Sequence, residues 1–226
     1  MPVPGGHDGS SGLWLDNEYF PEDGYTEATE EYGWSAVKID VTPPDADGNE
    51  FTVWQETPVL RTDDSFTISA WVVLDRLDGE RTAVSQRGVH ESAAWLRYSA
   101  QDGRWTFSVS DEDSTTTAVA AVSSTSVPEI GVWTHLTGVY DASRGEIRLY
   151  VNGELEGTQA LSFRPMASSG PLLVGRALWH DQLTDPWSGG IDDVAVYQSA
   201  LTDASVLDWY NAQGAVVPGT TVLRRG

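Results

Sequence analysis

Phe66-Thr67-Ile68-Ser69-Ala70-Trp71-Val72-Val73-Leu74 decides the fold class. Phe66, Ile68, Ala70, Val72 and Leu74 alternate with Thr67, Ser69, Trp71 and Val73, a period of two that predicts a β-strand with one face buried. Similar short runs recur outward from it, at 95–98, 105–109, 117–122, 133–140, 147–151, 172–175 and 191–197. Turn chemistry bounds them. Asp102-Gly103 and Asn152-Gly153 both suit a tight primed turn that needs positive φ, so antiparallel meanders are expected.

One segment follows helical logic. Thr202 is placed to cap the amides that follow, Asp203 suits the helix dipole, and Leu201 can pack on Val206. A surface helix of two or three turns, through Tyr210 or Asn211, is expected. Residues 215–226 carry Pro218-Gly219 and a basic tip and read as a linker or tail. The Gly- and Ser-rich residues 1–12, and 16–31 with seven carboxylates, read as irregular chain. The expected organisation is an irregular acidic segment over 1–35, one domain over 36–211 and a tail over 212–226.

The totals agree with one large all-β core. The chain has 226 residues, is 40% hydrophobic and carries 10 Trp and 8 Tyr, ample apolar surface to offset chain entropy. Its net charge of −21 repels phosphate backbones and anionic membranes, so neither nucleic acid nor membrane insertion is expected. With no cysteine, disulfides, thiolate zinc and thiol nucleophiles are excluded. Met1-Pro-Val-Pro-Gly-Gly opens without a basic stretch, and no apolar run long enough to span a bilayer follows, so Met1 reads as the start of an excised module.

Five blocks now point to a family. Ser65-Phe-Thr-Ile-Ser-Ala-Trp71, Arg81-Thr-Ala-Val-Ser-Gln86, Gly131-Val-Trp-Thr-His-Leu-Thr-Gly-Val-Tyr-Asp141, Ile147-Arg-Leu-Tyr-Val-Asn-Gly153 and Gly190-Ile-Asp-Asp-Val-Ala-Val-Tyr197 stand in order, followed by Ala200-Leu201. Together they resemble the laminin G-like jelly roll of the concanavalin A-like lectin/glucanase superfamily, in the form common in secreted proteins of actinobacteria. The resemblance implies a two-sheet antiparallel sandwich with one short C-terminal helix, in a secreted or cell-surface protein. Relatives begin with an earlier strand. Here that strand is either missing or supplied by Trp14-Leu15-Asp16.

The resemblance also implies a structural calcium ion. Asp192 occupies the place, before Tyr197, where relatives carry an ion-binding aspartate; Asp8 and then Asp40 are further candidates. Carboxylates presented by loops beside a rigid sheet suit this hard cation. The alternative is that Asp192 caps a turn or pairs with an arginine.

Catalysis is not expected. The superfamily's glucanases carry Glu-x-Asp-x-x-Glu on one strand, which sets the acid and nucleophile at the separation that retention requires; that spacing does not occur here. Asp111-Glu112-Asp113 reads as a solvated turn, and His135 as a structural histidine. A sugar site needs aromatic platforms with planar polar groups at one rim. The loop 175–187 has that composition, with Trp179, His180, Asp181, Asp185 and Trp187 as candidates, packing of the indoles being the alternative. The expected function is an adhesion or targeting module that binds a surface glycan or protein within a larger secreted protein. The rival is a structural spacer or docking domain, and two exposed indoles at 179 and 187 would favour the binder.

Overall fold

The computed structural model describes residues 13–15 and 58–214. Asp8, Asp40, the acidic stretch 16–31 and the tail from 215 lie outside the described residues. In chain order the strands are β1 (Leu13–Leu15), β2 (Phe66–Leu74), β3 (Arg81–Arg87), β4 (Ser92–Ser99) and β5 (Arg104–Ser110). There follow β6 (Val119–Ser123), β7 (Thr134–Asp141), β8 (Glu146–Val151), β9 (Glu154–Ala160) and β10 (Leu172–Val174). β11 (Ala177–Trp179), β12 (Gln182–Thr184) and β13 (Gly189–Tyr197) precede the helix α1 (Asp203–Gly214).

Two antiparallel sheets face each other, in the orders β1-β13-β2-β7-β8-β9 and β10-β3-β4-β5-β6, with β11 and β12 as a separate hairpin. The jelly-roll sandwich that the resemblance implied is what forms. The core between the sheets takes the predicted set Phe66, Ile68, Ala70, Val72 and Leu74, with Leu96, Trp105, Phe107, Leu136, Ile147 and Leu149 among its partners. The first strand of the resemblance is present as β1, which pairs Leu13 with Ile191 and Leu15 with Gly189 at the edge of the six-stranded sheet. Among the described residues no helix is long and apolar enough to cross a membrane.

β2 departs from the expectation of a single buried face, since all nine of its residues are buried. The second face is covered by α1 and its flanks. Val206 packs with Val139 and Tyr150, supported by Ala200 and Leu201, while Tyr210 lies 5.6 Å from Trp71 and 5.7 Å from His135. The Thr202 hydroxyl accepts the Ser205 amide at 3.2 Å, as a cap should. Asp203 then holds the first turn to the sheet by accepting from Arg148 at 2.8 Å and from Tyr150 at 2.7 Å.

The two turn signals had different outcomes. Asn152 (φ 52°) and Gly153 (φ 81°) form a two-residue turn that pairs Val151 with Glu154. Asp102-Gly103 does not. Ser99 pairs with Arg104, so four residues intervene, only Gly103 is left-handed, and its amide donates to the Ser99 carbonyl at 2.8 Å.

Candidate functional site

The segment 175–187, read as a loop from sequence, is mostly the β11–β12 hairpin. Its turn is His180 (φ 50°) and Asp181 (φ 63°), two non-glycine residues in the left-handed region between the paired Trp179 and Gln182. This is the primed geometry that two-residue hairpins use, and it is usually signalled by Asn-Gly. Backbone and side-chain bonds fasten the hairpin over the face of β3 and β4 that points away from the core. The Ser85 hydroxyl donates to the Arg176 carbonyl, the Leu178 amide donates to Ser92 Oγ, and the Thr82 amide donates to the Asp185 carbonyl, all at 2.9 Å.

Trp179 lands edge-on to the buried Trp95, with centroids 5.9 Å apart, and itself remains half-buried. The His180 ring stacks on it, 4.5 Å between centroids and 23° between planes. His180 and Asp181 keep about half of their side chains in solvent, 50% and 52%. Trp179, His180 and Asp181 therefore form one rim surface. Asp185 and Trp187 do not join it. Asp185 is 17% exposed and faces Arg97 at 3.6 Å. Trp187 is a correction to its candidacy as a ligand contact and takes the packing alternative: it is fully buried and stacks on Trp105 in the core, its amide donating to the Gly175 carbonyl at 2.8 Å just before β13. It touches no solvent and cannot meet a surface ligand.

Three residues from other segments complete the rim, and no local motif marked them. The β3–β4 turn brings His90, whose Nδ1 lies 2.6 Å from Asp181 Oδ1 while its carbonyl accepts the Asp181 amide at 3.0 Å. Its neighbour Glu91 is wholly buried and accepts the His180 amide at 2.9 Å. Asp113, read as part of a solvated turn, instead accepts the amides of Val89, His90 and Glu91 at 2.7, 2.8 and 3.1 Å. That carboxylate fixes the β3–β4 turn against the loop after β5. The hydrogen bond to Asp181, with its negative charge, raises the His90 pKa, opposed by desolvation and supported by the charges of Asp113 and Glu91. Burial pushes the Glu91 carboxyl up, partly offset by the His180 amide.

Asp192 lies on β13 opposite Trp71, where the β13–β2 register shifts between Asp192 and Ala195. Its Oδ1 accepts the Asp193 amide at 2.9 Å. Among the described residues no group of three or more His, Asp or Glu side chains is arranged to hold a metal.

A two-sheet antiparallel jelly roll with a helix on its outer face defines a class, and the family comparison agrees with it. A laminin G model described as Concanavalin A-like lectin/glucanases superfamily matches residues 45–207, and the chain belongs to that family. A search of the curated proteins found no match. Among solved structures, the sialidase carbohydrate-binding module CBM40 of Ruminococcus gnavus, bound to α2,3-sialyllactose, is similar with a TM-score of 0.54 at 14% identity. The match covers 65% of this chain and 83% of that one. A heptameric SAP-like pentraxin of Limulus polyphemus has a TM-score of 0.52 at 18% identity, covering 67% of this chain and 71% of that one. The binding domain of botulinum neurotoxin serotype G also has 0.52, at 17% identity, with 69% and 38% covered. At such identities these likenesses show the shared fold.

Proposed function

We propose that this domain is a non-catalytic recognition module of a larger secreted protein, and that the rim built by the β11–β12 hairpin and the β3–β4 turn binds a surface glycan. The observation that carries the reading is the stack of His180 on Trp179, flanked by Asp181 and His90. An aromatic–imidazole platform with carboxylate and ring-nitrogen partners beside it offers what a sugar needs: an apolar face to stack on and directional groups for its hydroxyls. Bonds to backbone groups hold the platform rigid, which lowers the ordering cost of binding. Structural neighbours support the reading: one is named with sialyllactose bound and another as a toxin binding domain.

The test is a glycan array with sialylated and neutral oligosaccharides, followed by titration of intrinsic tryptophan fluorescence. Saturable binding that Trp179→Ala abolishes is expected. Absence of binding to every glycan would favour the rival reading, a spacer or docking domain, towards which the burial of Trp187 already leans.

A structural calcium ion is part of the same proposal, with Asp192 as the leading carboxylate and Asp8 and Asp40 as the other oxygen donors. A ligand of the native state raises the unfolding midpoint. Thermal unfolding in millimolar Ca²⁺ should therefore exceed that in EDTA, and Asp192→Ala should erase the difference; equal midpoints in the unaltered domain would remove the ion from the account.

A further inference from the structure

We propose that the β11–β12 hairpin is clamped onto the β3–β4 turn by the His90–Asp181 contact, and that this clamp is tightest in mildly acidic solution and loosens as the solution becomes alkaline. The inference concerns the fold and holds whether or not the rim binds a glycan.

The geometry places a titratable side-chain pair, His90 and Asp181, where the two elements meet at their tips, beside the Glu91 carboxyl that holds the His180 amide. Asp181 is tied to His90 twice, by the 2.6 Å side-chain contact and by its amide on the His90 carbonyl. The backbone bond alone does not respond to pH. The side-chain contact does, since a protonated imidazole facing a carboxylate makes a charge-assisted bond and a neutral one makes an ordinary bond.

The groups facing His90 reinforce the direction. Asp181 approaches from the hairpin, Asp113 from the loop after β5 and Glu91 from the turn itself, all carboxyl groups, and His180 Nε2 stands 3.7 Å from Glu91. The three carboxyl groups favour protonation of His90, and partial desolvation opposes it. With the folded pKa raised, the stabilisation is fully present below the ordinary histidine pKa and is lost as pH rises through the raised value.

What loosens is specific. Trp179 and His180 are carried on this hairpin. Its ties at Ser85, Ser92 and Thr82 lie towards its base, and the His180 amide on Glu91 and the Asp181 amide on the His90 carbonyl remain at the tip. Loss of the charge-assisted contact therefore loosens the turn at 180–181 without undocking the hairpin.

Amide hydrogen exchange of the full chain by NMR, corrected for intrinsic rates, tests this between pH 5.5 and 8. Protection of the Asp181 amide is expected to fall about two- to fivefold on going up in pH, the range that exposed ion pairs produce. The Gly131 amide, bonded to the Leu74 carbonyl and not to any rim residue, serves as reference. His90→Gln should flatten the pH dependence of the Asp181 protection, and a Glu91→Gln background removes the contribution of the neighbouring carboxyl group that holds the His180 amide. Asp181→Asn keeps a residue that tolerates positive φ and should move the His90 imidazole titration midpoint down. Equal pH dependence in the parent and His90→Gln, or an unmoved His90 midpoint in Asp181→Asn, would overturn the proposal. A glycan array without hits would leave it standing.

Discussion

Trp187 lies nearly parallel to Trp105 in the centre of the sandwich, ring centroids 6.3 Å apart and planes 16° apart, with both indoles buried. The residue that looked like half of a sugar platform is thus part of the core. Trp187→Ala should cost about 3–5 kcal/mol, the usual range for deleting a buried aromatic. Urea denaturation reads this directly, and a cost below about 1 kcal/mol would contradict the stacking described.

Trp179 should behave in the opposite way. It is half-buried and rests edge-on to Trp95, so Trp179→Ala should cost only about 1 kcal/mol of stability. Any glycan affinity found should fall at least roughly tenfold, as loss of a central aromatic contact does. The pair of variants separates a packing indole from a binding one by comparing unfolding midpoints with binding isotherms.

Gly138 on β7 lies directly under Phe107 of the facing sheet, where an added Cβ would overlap the ring. Gly138→Ala should destabilise by about 2–3 kcal/mol through overpacking. The cost should shrink in a Phe107→Leu background, which a double-mutant cycle measures. Additive effects would show that the two sites do not meet.

Asp203 couples the helix to the sheet. Its hydrogen bond from Tyr150 and the charge of Arg148 hold its pKa below the ordinary carboxylate range, against a desolvation cost. A depressed carboxylate stabilises the fold above its unfolded pKa, and that contribution is lost as pH falls through the folded value. Asp203→Asn should therefore flatten the acid limb of the stability curve. Asp203→Ala should cost about 1 kcal/mol at neutral pH, the modest value reflecting the 68% exposure of its side chain.

Glu91 predicts the reverse slope. Burial raises its pKa, so its contribution is complete below the unfolded carboxylate pKa and is lost as pH rises through the folded value. Glu91→Gln keeps an oxygen for the His180 amide and removes the ionisation, so the variant should lose less stability than the parent between pH 4 and 7. Denaturation midpoints measured across that interval decide it; parallel curves would show that Glu91 does not titrate there.

Patterns carried by neighbouring residues were legible in the sequence. The alternation in 66–74 gave a strand, Asn152-Gly153 gave a turn, and Thr202 with Leu201 and Val206 gave the start of α1, because each depends on contacts within a few residues. The β11–β12 hairpin was not legible: His180-Asp181 lacks the glycine that normally marks positive φ, and docking on β3 and β4 supplies what local preference does not. β9 was also hidden, since Glu154–Ala160 is largely exposed and lacks an apolar face.

The rim is where sequence reasoning reached its limit. Composition alone nominated Trp179, His180, Asp181, Asp185 and Trp187 as equals, and only packing separated them, drawing Trp187 into the core and turning Asp185 towards Arg97. His90, Glu91 and Asp113 stand 91, 89 and 22–24 residues from the partners they meet. The sequence by itself determined the all-β class and the capped helix, because side-chain periodicity and turn chemistry act over short stretches of chain, and the order of its five motif blocks carried the resemblance to the family. Which side chains share the rim was decided only by the tertiary structure, because a contact across two hairpins depends on strand register, and register is settled by the core rather than by the residues that meet at the surface.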